Sequence, residues 1–83
     1  MSETVGRHLG LRLRLLRKLS GIAQYDLARY LGRSQTEISR WEHGEIRIPA
    51  QELPSIARCL NCTIDDFFTM APPIHKEVTT HEG

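Results

Sequence analysis

The run Ser34-Gln35-Thr36-Glu37-Ile38-Ser39-Arg40 gathers hydroxyl, amide, carboxylate and guanidinium groups in one short stretch. Such groups donate and accept hydrogen bonds, which is the chemistry of recognition. Catalytic chemistry has different requirements, and the sequence does not meet them. It contains no Gly-rich phosphate loop, no nucleophile elbow and no convergent carboxylate pair. Cys59 and Cys62 have metal-like spacing, but zinc takes four ligands and no second pair exists. His8, His43, His75 and His81 are scattered without ligand spacing. The expectation is therefore a protein with no catalytic residues, no metal and no cofactor.

The elements that must position this polar stretch are helical. Ser34 and Glu37 stand at N-cap and N3 of a capping box, which opens a helix with Ile38 and Trp41 inward and Gly44 at its end. Before it, Gln24 to Leu31 places Leu27, Ala28 and Leu31 on one face, and Gly32 ends that helix. Val5 to Ser20 alternates apolar and polar residues between Leu9 and Leu15, as a strand does. Yet Leu9, Leu13 and Leu16 share a helical face, and the segment is too long for an ordinary strand. Leu11, Leu15 and Leu19 form a second stripe roughly opposite the first. That stripe reads as a dimer contact, a dock for the C-terminal tail or a partner surface; partial exposure between arginine stems is the plainer alternative.

Pro49 precedes a fourth helix spanning about Ala50 to Leu60, with Leu53, Ile56, Ala57 and Leu60 as its apolar face and Pro54 near its first turn. Thr63-Ile64-Asp65-Asp66 starts a fifth, followed by Phe67 and Phe68. From Pro72 onward there is no periodicity, and a loose tail is expected. The predicted fold is all-α: five short helices in one domain over 1–70 and a flexible tail over 71–83.

Two of these helices meet the demands of a helix-turn-helix across 24–43. Gly32 tolerates the positive φ of the turn, and Ala28 permits close approach. Leu27, Leu31, Ile38 and Trp41 anchor the inner faces, while Gln35, Thr36, Ser39 and Arg40 are short or polar groups for the second helix to present. Here AQYDLARYLGRSQTEISRWEHG resembles the Cro/repressor-type helix-turn-helix family (the xenobiotic-response-element family), which includes lambdoid phage repressors and many small bacterial regulators. The likeness covers about residues 9–68. It continues in I-P-A-x-E-L-x-x-I-A-x-x-L-x-x-x-I-D-D-F-F, the usual fourth and fifth helices.

The resemblance implies a compact lambda-repressor-like domain that reads double-stranded DNA in the major groove. It assigns base contacts to Gln35, Thr36, Ser39 and Arg40. Glutamine pairs with adenine N6 and N7, and arginine with guanine O6 and N7. Thr36 is suited to a thymine methyl or a phosphate, and Arg40 alternatively to a phosphate. Phosphate contacts fall to Gln24, Arg33, Ser34, His43 and Arg47. Glu37 is read as a helix cap in preference to an acceptor from cytosine N4. Arg17 and Glu42 match an internal salt bridge of the family. Two departures stand out: Ala23 replaces the usual Ser or Thr N-cap, and Arg33 stands where an apolar residue is common.

Composition agrees with this reading. At 83 residues the chain allows one small domain, and 40% hydrophobic with 25% charged residues is ordinary for a soluble globule. Net charge is only +1, but residues 1–47 carry nine Lys/Arg against five Asp/Glu, and 48–83 carry two against five. A basic front half suits a phosphate-facing side. No apolar run is long enough to cross a bilayer and no secretory leader is legible, so a cytoplasmic protein is expected. The function expected is a transcriptional regulator, a repressor binding a two-fold operator as a homodimer. The rival is a protein-interaction module whose leucine stripe binds a toxin or a polymerase.

Overall fold

The computed structural model describes residues 2–69, with side chains from Gly6 onward. The expected tail, 71–83, lies outside the described residues. Four α-helices follow one another: α1 (Ser2–Leu19), α2 (Gln24–Leu31), α3 (Gln35–Glu42) and α4 (Leu53–Leu60). Two 3-10 turns, Ala50–Glu52 and Ile64–Phe67, complete the described residues, which contain no strand. The all-α expectation holds, with three differences in the elements.

The expected fourth helix from Ala50 to Leu60 is a 3-10 turn followed by α4. The reason is Pro54. An α-helix running through Ala50 would send the residue 54 N–H to the Ala50 carbonyl, and proline has none. The Leu53 N–H takes that carbonyl at the tighter spacing. The expected fifth helix is a single 3-10 turn, closed where the Phe68 N–H donates to the Asp65 carbonyl at 2.9 Å. Its start is as the residues suggest, with a complete capping box between Thr63 and Asp66. Helix α1 also begins earlier than Val5, at Ser2.

The core is one cluster built from all four helices and the last 3-10 turn. Leu13 and Leu16 of α1 meet Leu27 and Ala28 of α2, Ile38 and Trp41 of α3, Ile56 and Leu60 of α4, and Phe67. Leu9 and Leu31, expected inside, are half-buried against it. Helix α1 crosses the C-terminal end of α3 at Gly10. A Cβ there would fall inside van der Waals contact of the Trp41 carbonyl oxygen and 3.0 Å from that of Glu42. The glycine lets two backbones touch.

On the far side of α1 the second stripe stands in solvent, with Leu11 56%, Leu15 40% and Leu19 47% exposed. Beside it the Arg12 Nε donates to the Asp66 carbonyl at 2.8 Å, tying α1 to the last 3-10 turn. Ile64 and Phe68 at the ends of that turn are exposed as well.

Candidate nucleic-acid interface

Helices α2 and α3 are joined by Gly32, whose φ of 71° and ψ of 33° are left-handed. The Arg33 N–H returns to the Ala28 carbonyl at 2.9 Å, closing the end of α2. Ser34 then caps α3, its Oγ accepting from the Glu37 N–H at 3.1 Å. Because that oxygen accepts, the hydroxyl hydrogen is left to donate outward. The reciprocal half of the capping box is absent. The Glu37 carboxylate turns to Arg33 instead, at 2.6 Å, so its role is structural by an ion pair and not by a cap.

Ile38, Trp41 and Glu42 face the core and fix the rotation of α3. At about 100° per residue, Thr36, Arg40 and His43 then fall on the outward face, with Ser39 beside them. Gln35, Thr36, Arg40 and His43 are exposed and Ser39 is half-buried. The four residues expected to reach bases therefore share one side of the helix or its border.

Gln35 is held in place by a chain of polar contacts that begins in the core. Arg17 grips Glu42 with two bonds, Nε to Oε2 at 2.6 Å and a terminal nitrogen to Oε1 at 3.2 Å. A further Arg17 nitrogen donates to the Ile22 carbonyl at 2.8 Å. The amide nitrogen of Gln24 donates to Glu42 Oε1 at 3.0 Å. A carboxylate accepts only, so the Gln24 amide must present its nitrogen to Glu42 and its oxygen outward. That oxygen accepts from the Gln35 amide at 3.3 Å. The Arg17–Glu42 pair implied by the resemblance is thus present, and Gln24 links it to the exposed face.

The remaining basic side chains differ in what they offer. Arg47 is exposed on the loop after α3. The His43 Nδ1 lies 2.8 Å from the Ser39 carbonyl, which leaves Nε2 directed away from the helix end. Arg40 is exposed, with Nε 4.0 Å from Glu45. Arg33 is half-buried and is engaged by Glu37 and Glu52 and by the face of Trp41. Hydrogen bonds to Glu52 first and Glu37 second raise its pKa. Sequence reasoning missed Arg7. Its Cα lies 3.2 Å from where Gly44 would carry a Cβ, placing an exposed arginine beside the loop that bears Arg47. No spacing rule links residue 7 to residue 44; the crossing of α1 over α3 does.

Cys59 and Cys62 are half-buried and pack at the edge of the core. Among the described residues no group of His, Cys, Asp or Glu is arranged to hold a metal ion, and no helix is long and apolar enough to cross a membrane.

Comparison with known families matches residues 13–67 to the Helix-turn-helix family. The chain belongs to the helix-turn-helix family. An uncharacterized HTH-type transcriptional regulator of Sinorhizobium medicae (strain WSM419) is 37% identical over 65 residues, covering 78% of this chain and 47% of the relative. An uncharacterized transcriptional regulator in the ATPase CF(0) region of Rhodospirillum rubrum is 40% identical over 65 residues, covering 78% of this chain and 60% of the relative. This helix-turn-helix chain thus spans about half the length of the curated relatives it matches. Among solved structures, the clp gene regulator ClgR from C. glutamicum superposes with a TM-score of 0.74 at 24% identity, covering 83% of this chain and 96% of that one. The restriction-modification controller protein C.AhdI from Aeromonas hydrophila gives 0.69 at 26% identity, covering 75% and 94%.

Proposed function

We propose that this helix-turn-helix protein is a sequence-specific, double-stranded DNA-binding transcriptional regulator that lays α3 in the major groove. The observation that carries the reading is the state of α3: its back is locked into the core by Ile38, Trp41 and Glu42, while its polar face is exposed and pre-positioned. Gln35, Thr36, Ser39 and Arg40 read base edges. Ser34 and Arg47 contact phosphates and Arg7 joins them; Gln24 adds the second hydrogen of its amide nitrogen, and His43 adds Nε2–H when its ring carries both protons. Each phosphate neutralised by an arginine steepens the fall of log K with log salt by ~0.9.

The protein acts as a homodimeric repressor in the cytoplasm, without catalysis or cofactor, on half-sites ~34 Å apart. Leu11, Leu15 and Leu19 provide the contact between copies. The exposure of this stripe also favours a second reading, in which it binds another protein such as a toxin or a polymerase.

Selection of random duplexes on the purified protein, repeated with the Gln35→Ala, Arg40→Ala double variant, tests the base readers. A palindromic consensus that the variant loses supports them; no consensus, or an unchanged one, refutes them. Leu15→Glu separates the uses of the stripe. A folded monomer with weak operator binding identifies the dimer contact, and loss of partner binding with undiminished operator binding identifies the partner surface.

A further inference from the structure

Arg33 follows the turn glycine, and three groups hold its guanidinium. It donates to Glu37 Oε2 at 2.6 Å and to Glu52 Oε2 at 2.9 Å, and its Cζ lies 5.3 Å from the centroid of the Trp41 ring. We infer that Arg33 is a specificity-determining positioning residue, which holds the Glu37 carboxylate off the DNA face of α3. The inference rests on the DNA-reading function proposed above.

Glu37 sits at the border of the exposed face of α3, about 100° along from Thr36. From a border position a carboxylate can swing either way. Swung outward, it would stand among DNA phosphates, where like charge is costly, and would accept from cytosine N4. Swung inward, it meets Arg33. The helix start does not use the Glu37 side chain: Ser34 serves the Glu37 N–H, and the Glu37 carboxylate makes no return bond to the Ser34 N–H. Two carboxylates face one guanidinium, so Arg33 has no surplus positive charge to offer a phosphate. Turning it toward DNA would break both ion pairs, leave the Trp41 face and release Glu37 at once. Through Glu52, in the 3-10 turn before α4, the same guanidinium ties the start of α3 to the next element.

The test compares the wild-type chain with Arg33→Met, Glu37→Gln and the double variant, on the duplex that the wild type selects. Methionine is chosen because its unbranched side chain can still cover the Trp41 face. Arg33→Met is expected to bind about tenfold more weakly. Its own selection should shift toward cytosine at the base pair under the first turn of α3. Adding Glu37→Gln should restore affinity to within about twofold, the scale of ordinary additivity, with the wild-type salt slope. A double variant that stays weak, its slope lower by ~0.9, shows Arg33 to be a phosphate contact and overturns the inference.

Should Arg33→Met lose its thermal transition, Arg33→Lys carries the test. Lysine keeps the charge but cannot span both carboxylates. A changed base preference supports the inference; unchanged affinity, slope and preference overturn it. A wild type that selects no consensus refutes DNA reading itself. A wild-type consensus without rescue by Glu37→Gln refutes the role of Arg33 alone.

Discussion

Glu42 accepts three hydrogen bonds and is among the most buried side chains, with 1% of its side chain exposed. A buried carboxylate is tolerated when its lone pairs are filled, and here Arg17 and Gln24 fill them. Removing one partner of such a pair leaves the other charge buried and uncompensated. Glu42→Ala is therefore expected to cost ~3–5 kcal/mol, read by urea denaturation; a loss under ~1 kcal/mol would mean water reaches Arg17 in the variant. The same carboxylate sets the direction of the Gln24 amide, and that amide steadies Gln35. On the opposite border of α3, Arg33 restrains Glu37 in a comparable way. Both edges of the polar face are thus fixed by ion pairs anchored in other elements.

At the scale of elements, the placement of α3 depends on how closely α1 approaches it. Gly10→Ala adds a methyl group where two backbone carbonyls already stand. Alanine favours helix over glycine by about 1 kcal/mol, but overpacking against backbone costs ~1–3 kcal/mol. The melting temperature should fall, and a rise would show that α1 can slide without penalty. Helix α2 offers the opposite case. Ala23 already has N-cap geometry, φ −78° and ψ 157°, and its carbonyl receives the Leu27 N–H at 3.1 Å, yet no side chain caps the helix. Ala23→Ser should add ~1 kcal/mol, seen as a higher melting temperature; no gain would mean that the serine hydroxyl prefers solvent.

For the molecule as a whole, the thin core carries a pH dependence. Burial pushes the Cys59 thiol up from its ordinary value, and the Asp26 carboxylate adds to the shift. The folded chain then holds this proton more tightly than the unfolded chain does. Stability fully present below the ordinary thiol range is lost as pH rises from there through the raised folded value. Denaturation midpoints should decline over that alkaline window, and the decline should shrink in Cys59→Ala; an equal decline in both would assign it to other groups. The same burial predicts slow alkylation of Cys59 in the folded protein. On the outside, the leucine stripe of α1 and the exposed Ile64 and Phe68 leave an apolar side away from α3. The DNA reading and the association proposed above therefore fall on separate surfaces.

Much of this was legible from residue types and spacing. Helical period, Gly32 and the Ser34 cap determined α2, the turn and α3, because each is a local property of backbone and neighbouring side chains. The apolar positions of α3 fixed which side it turns to the core, and so which residues it shows. Tertiary structure decided the rest. The capping-box pattern at Ser34 and Glu37 could not reveal that Arg33 would claim the carboxylate, because the third member, Glu52, arrives from another element. Gln24 and Gln35 look like independent exposed amides until Glu42 orients one toward the other. Arg7 reaches the loop after α3 because two backbones touch at Gly10. A sequence records which groups are available along the chain, and long-range packing determines which of them compete for the same partner.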